Sequence, residues 1–217
     1  MKKPEIKKEN VSVLYDGKYV SLFDLEFEPE KHYLDASRRK IEDLAAVKND
    51  EEFAHMLPDA VSCIVILRIK GQPPRLCLNQ EFRYPTGRFL LSVPAGLIDP
   101  EEKKTENPIF CAAKRELQEE TGIRLEKGDR MTLVNPLLFS TPGMTDESNA
   151  LVQIVLERDK MPTISQEGAE GCECFDGFIL LTKAEAMEIL KAGVDGNGIF
   201  YSVYTWAALM CFISDIW

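Results

Sequence analysis

Histidine is scarce in this chain: only His32 and His55 occur among its 217 residues. A Ser-His-Asp or Cys-His nucleophile is therefore not expected. The six cysteines, Cys63, Cys77, Cys111, Cys172, Cys174 and Cys211, are scattered and form neither a paired framework nor a CxxC. The Cys172-Glu173-Cys174 pair has no nearby histidine to complete a soft-metal site, so reduced thiols are expected. Basic charge is also short, with 26 Lys and Arg against 36 Asp and Glu and a net charge of −10. That balance provides no stripe to neutralise a phosphate backbone and argues against nucleic acid as a partner. An anionic small substrate stays compatible where bound cations supply the positive charge. The opening residues, MKKPEIKKEN, carry no apolar core, so a cytoplasmic location is expected. The apolar run from Ile199 to Trp217 is interrupted by Ser202, Tyr204, Thr205, Ser214 and Asp215. It is expected as a buried terminal helix, with no membrane as partner.

With 45% hydrophobic and 29% charged residues, the composition is that of a globular chain with a sizeable core. No internal repeat or low-complexity tract interrupts it. Strands are expected at Val11 to Tyr15, at Tyr19 to Phe27 after an Asp16-Gly17 turn, and near Tyr33. The charged stretch from Arg39 to Pro58 reads as one or two short helices or a connection. Further strands are expected at Val61 to Ile69, Arg75 to Phe82, Met131 to Leu138, Ala150 to Leu156 and Phe175 to Leu181, with Phe89 to Val93 leading into the Pro-Ala-Gly turn. Helices are expected at Lys183 to Ala192 and from Ile199 to about Ile213. The class is α+β, with a mixed sheet sandwiched between helices. An N-terminal β extension, 1–58, should precede a catalytic domain, 59–217.

The stretch that carries chemistry is Pro94 to Ile123, ending in Arg115-Glu116-Leu117-Gln118-Glu119-Glu120-Thr121-Gly122. On a helix Glu116, Glu119 and Glu120, at i, i+3 and i+4, project from one side. Phe110, Ala113 and Leu117 fall on a neighbouring stripe at core-facing spacing. The like charges cost a few tenths of a kcal/mol per pair and call for a counter-charge. Hard divalent cations suit such oxygen ligands. A glutamate-rich helix face can equally be a merely solvated one. The context favours the functional reading: a Pro-Ala-Gly turn upstream, Arg115 before the first acid, and Thr121-Gly122 as a helix end.

These residues together resemble the box of the Nudix family, G-x5-E-x7-R-E-U-x-E-E-x-G-U, where U is apolar. Gly96 matches its start, and Arg115, Glu116, Leu117, Glu119, Glu120, Gly122 and Ile123 match its end. Eighteen residues separate Gly96 from Arg115 where the pattern has thirteen. Counting back from Arg115, the slot of the first glutamate falls on Asn107, and Glu106 is expected to take its place by a one-residue shift of the helix start. Pro94-Ala95-Gly96-Leu97-Ile98-Asp99, Glu81-Phe82-Arg83-Tyr84-Pro85 and the loop from Ser140 to Glu147 are similar to the ADP-ribose pyrophosphatase branch. The likeness runs from about Gly17 to the C-terminus.

The resemblance implies a Nudix fold and Mg²⁺, or Mn²⁺, held by Glu116, Glu119 and Glu120 with the Ala95 carbonyl. It implies that Arg115 orients the carboxylates. Tyr19 and Tyr33 match aromatic residues that stack on adenine, Arg38 and Arg83 match arginines on the phosphates, and Leu97 lies on the substrate side; sheet-face packing is the alternative for the tyrosines. A general base is sought among Glu167, Glu170 and Glu173, with Glu173 the best match by its distance to the following strand. The implied reaction is hydrolysis of ADP-ribose or another ADP-sugar, a nucleoside diphosphate sugar, to AMP and a sugar phosphate, by a homodimer. The alternatives are another nucleoside diphosphate derivative such as NADH or a dinucleoside polyphosphate, a non-catalytic ADP-ribose-binding module, or simple buffering of divalent cations.

Overall fold

The computed structural model describes residues 4–166, 168 and 173–217. Among the described residues the strands are β1 (Val11–Tyr15), β2 (Ser21–Glu28), β3 (Lys31–Ser37), β4 (Ala60–Ile69), β5 (Arg75–Arg83), β6 (Arg88–Ser92), β7 (Ala95–Leu97), β8 (Arg130–Phe139), β9 (Ser148–Arg158) and β10 (Phe175–Leu181). The helices are α1 (Asp50–Ala54), α2 (Pro108–Thr121), α3 (Lys183–Ala192) and α4 (Val203–Ile213). The class is α+β, as expected. The chain divides into two compact units, Met1–Asp59 with Pro136–Asn149, and Ala60–Asn135 with Ala150–Trp217. The division thus differs from a single cut at residue 58, because the loop from Ser140 to Glu147 belongs with the N-terminal strands.

In the first unit, β1, β2 and β3 form an antiparallel sheet in that order. Phe23 and Leu25 point from β2 to one face, the period-2 alternation of a half-buried strand, and bury against Leu44. Tyr19 lies outside β2, which begins at Ser21. The stretch from Arg39 to Pro58 holds two short 3₁₀ turns, 41–43 and 45–47, and α1, whose Asn49 and Glu52 make reciprocal capping bonds. Arg39 clamps Asp59 through Nε (3.0 Å) and Nη2 (2.8 Å). Ser37 Oγ donates to Asp146 Oδ1 at 2.6 Å, and the Asp146 N–H donates to Asp35 Oδ1 at 3.1 Å.

In the second unit, the larger sheet runs β10-β5-β4-β9-β8, with β6 on β5 and β7 on β4. β4 is buried on nearly every residue, the pattern of a central strand covered on both faces. Val61, Cys63, Val65 and Leu67 pack with Ala113 and Leu117 of α2 and with β9 residues Val152 and Ile154. α4 contacts the same strand. It starts at Val203 and not at Ile199, because the Ser202 side chain accepts from the Thr205 N–H and caps it. No described helix is long and apolar enough to cross a membrane.

Asp35 supplies a test of the first unit's packing. Burial, then the Asp146 carboxylate, push its pKa up to about 6, against the Asp146 N–H and Arg39. A raised carboxylate pKa means that the folded state binds the proton more tightly. Stability therefore falls as pH rises from about 4 to 6, and the cost is fully present above 6. Asp35→Asn keeps the acceptor oxygen and should stabilise the chain at pH 7 by about 1 to 3 kcal/mol, with the gain vanishing below about pH 4. Urea unfolding of both proteins at the two pH values checks this.

Candidate active site

The site is built where α2 packs against β4, β7 and the turn that follows β7. Pro108 opens α2 at its first position, where its missing N–H is no loss, and Gly122 closes it at φ 72°. One stripe of the helix, with Ala112, Ala113 and Leu117, goes into the core. The next brings Glu116 and Glu120 to the sheet, where they are only 3% and 2% exposed.

Arg115 provides the counter-charge that this acid face requires. Its Nη1 donates to Glu116 Oε1 (2.7 Å) and Glu119 Oε2 (2.8 Å), and its Nη2 to the Leu97 carbonyl (2.8 Å). Its Nε and Nη2 meet both oxygens of Glu102, at 2.9 and 3.2 Å. Burial opposes the charge on Arg115, but Glu102, Glu116 and Glu119 outweigh it and hold the guanidinium protonated. The carboxylate that meets Arg115 is thus Glu102. Glu106, the expected occupant of that place, is exposed. Counting forward from Gly96 would have found this, since Gly-x5-Glu ends on Glu102 and all five extra residues fall between it and α2.

Gly96 is required by space. A Cβ there would lie 1.9 Å from Glu116 Oε1. Glu120 is gripped on both oxygens, by the Ala95 N–H on Oε1 (3.0 Å) and by Asn79 Nδ2 on Oε2. Burial, and then the neighbouring acids Glu116, Glu81 and Glu173, raise the pKa of Glu120 to about 9, although the Ala95 N–H opposes the rise. Burial likewise raises Glu116 to about 7, with Arg115 lowering it and Glu119 and Glu173 adding to it.

The surroundings explain why Glu173 acts on this centre. Phe175 pairs with Glu81 in the β10–β5 register, and the Phe82 N–H donates to the Cys174 carbonyl at 2.8 Å. Glu173 is brought to the end of β5 and is itself exposed. Glu167, Glu170 and Cys172 lie outside the described residues. Glu81 was not singled out from sequence. Its pKa is raised by burial against Arg83, and Arg83 Nη2 lies 2.6 Å from its Oε2. Leu97 is exposed at the rim.

The remaining expected contacts lie in the first unit. Tyr19 and Tyr33 are 70% and 51% exposed, so neither ring is buried sheet packing. The Tyr33 hydroxyl donates to the Gly143 carbonyl at 2.8 Å. Arg38 reaches Glu147 Oε1 and the Tyr19 carbonyl, each at 3.4 Å.

The donor set fits a hard divalent cation in its chemistry. Glu116 and Glu120 are buried acids with too little positive charge nearby, and a cation would reverse the rise in their pKa values. Beside them Asn79 Oδ1 is buried without a hydrogen-bond partner among the described residues. In this arrangement the oxygens are turned to Arg115, Ala95 and Asn79, and among the described residues no three acid, His or Cys side chains converge as a metal cluster.

Residues 56–194 match the family described as NUDIX domain. An ADP-ribose pyrophosphatase of Saccharomyces cerevisiae is 33% identical over 122 residues, covering 54% of this chain and 49% of the relative. An ADP-sugar pyrophosphatase of Mus musculus is 29% identical over 134 residues, covering 62% and 57%. The chain spans about half the length of the curated relatives it matches. A crystal structure of an ADP compounds hydrolase superposes with a TM-score of 0.55 over 97% of this chain and 92% of that one, at 20% identity, which shows a shared fold.

Three substitutions, in two comparisons, test the geometry without any assumption about activity. Glu102→Gln should lower stability by about 1 to 2 kcal/mol through the loss of charge-assisted bonds, while Glu106→Gln should stay within about 0.5 kcal/mol of the parent. Gly96→Ala should cost roughly 1 to 3 kcal/mol, since Glu116 must be displaced. Urea unfolding midpoints decide both, and equal stability of the Gly96→Ala protein would show that Gly96 and Glu116 do not touch.

Proposed function

The chain belongs to the NUDIX domain family, and from that premise we propose that it hydrolyses the diphosphate of ADP-ribose or a related ADP-sugar, giving AMP and a sugar phosphate. The observation that carries the proposal is the pair Glu116 and Glu120, buried under Gly96 with more negative charge than Arg115 offsets. Glu116 and Glu120 would hold Mg²⁺ or Mn²⁺, with Glu119 and the Ala95 carbonyl completing the set. When bound, such a cation neutralises the diphosphate and lowers the pKa of a water. Glu173 accepts the proton of the attacking water; the water oxygen bonds to phosphorus as the bridging P–O bond breaks. Arg115 takes no part in bond making and keeps Glu116 and Glu119 oriented. Arg83, paired with Glu81 here, would grip phosphate oxygens.

Tyr19 and Tyr33 would stack on the adenine, supported by their exposure, with Arg38 beside them. A homodimer is proposed as well. Val13, Leu14, Tyr15 and Val20, all exposed along and beyond β1, are the kind of apolar edge that a second copy covers.

The deciding assay is AMP release from ADP-ribose in millimolar Mg²⁺, beside ADP-glucose, NADH and diadenosine polyphosphates. Preference for ADP-ribose is expected, with kcat/KM reduced at least about 100-fold in Glu120→Gln. Binding of ADP-ribose without product would overturn the proposal in favour of a non-catalytic module. That second reading draws on the absence of a converged acid cluster among the described residues.

A further inference from the structure

Asn79 sits on β5, fully buried, opposite Phe178 of β10 and Ser92 of β6. Cys77 and Leu78 before it on the strand are buried too. An amide in such a place is expensive unless every polar atom is paired, and here one is not. Its Nδ2 donates to Glu120 Oε2, whereas its Oδ1 has no partner among the described residues. An apolar side chain of similar volume would avoid that cost, so packing alone does not account for the amide.

What the amide does is visible at Glu120. The terminal torsion of a glutamate is broad, so burial does not by itself fix the plane of its carboxylate. At Glu120 two donors arrive from different strands, the Ala95 N–H from β7 on Oε1 and Asn79 Nδ2 from β5 on Oε2. The carboxylate cannot turn about its last bond without breaking one of them. Backbone geometry secures the first contact, and only the identity of residue 79 secures the second.

We propose that Asn79 is a positioning residue, which fixes the Glu120 carboxylate in the plane that receives a divalent cation. The inference rests on Glu120 being a cation ligand. Asn79 touches neither substrate nor the reacting atoms and acts through Glu120.

The test is a calorimetric titration with Mn²⁺ alone, without substrate, on the parent protein and on Asn79→Leu, Asn79→Ser and Glu120→Gln, each checked for folding by thermal unfolding. Asn79→Leu is expected to weaken Mn²⁺ binding about 10- to 100-fold, the usual effect of removing the support of a metal ligand. In turnover, kcat should fall while KM for the nucleotide stays within about threefold, since no substrate contact is lost. Asn79→Ser, whose hydroxyl can still donate, should fall between Asn79→Leu and the parent. Mn²⁺ affinity in folded Asn79→Leu within about twofold of the parent would overturn the inference, even if stability had dropped. Should Asn79→Leu not fold, Asn79→Ser is judged by the same criterion. Glu120→Gln separates two kinds of failure. If it too keeps its Mn²⁺ affinity, the ligand reading of Glu120 has failed; if it loses affinity while Asn79→Leu does not, only the role of Asn79 is refuted.

Discussion

One guanidinium holds the acid face of α2 together. Arg115 donates to Glu102, Glu116, Glu119 and the Leu97 carbonyl at once. A lysine could not do this, because its ammonium is a single point of charge, whereas the arginine fork carries five donors in fixed directions. Without that fork, the glutamates at 116, 119 and 120 would repel one another along the helix, and the turn after β7 would lose its tie to α2. The position of Gly96 against Glu116 follows from the same tie, because the turn is drawn onto the helix until no room for a Cβ remains.

The neutralisation is deliberately incomplete in its outcome. Glu119 and Glu102 are spent on Arg115, and Arg83 is spent on Glu81. Glu120 is left with neutral donors only, Ala95 N–H and Asn79 Nδ2. Neutral donors orient a carboxylate but do not cancel its charge. A buried acid treated in this way stays attractive to a cation, and the rise of its pKa to about 9 expresses the same unbalanced charge.

Much of this could be read from the residues. The spacing of Glu116, Glu119 and Glu120 predicts a shared face, and β10 and α3 fall at their expected ends, because period-2 and period-3.6 patterns are strong there and Thr182 caps α3. The role of Glu102 was legible only by counting forward from Gly96; counting back from Arg115 crosses the five added residues and lands on the wrong acid. Asn79 gave no local signal, and Glu81 only as part of the Glu81-to-Pro85 motif, since their importance comes from strand pairing that brings β5 beside α2. α4 starts later than its apolar run suggests, because Ile199 and Phe200 continue that run while the Ser202 cap sets the helix start at Val203.

The first unit draws its ties from residues more than a hundred positions away. Ser37 and Asp35 bond to Asp146 across separations of 109 and 111 residues. During synthesis β1, β2 and β3 leave the ribosome early, yet the partners of Asp35 and Ser37 do not exist until the chain has been made past residue 146. The early strands must therefore wait through the translation of about half of the second unit, with closure of a long loop as the entropic toll. Over that interval the exposed β1 edge is held by its hairpin with β2 and by the small cluster around Leu44, and this makes the nascent chain, more than the finished one, the state in which unwanted strand pairing is most dangerous.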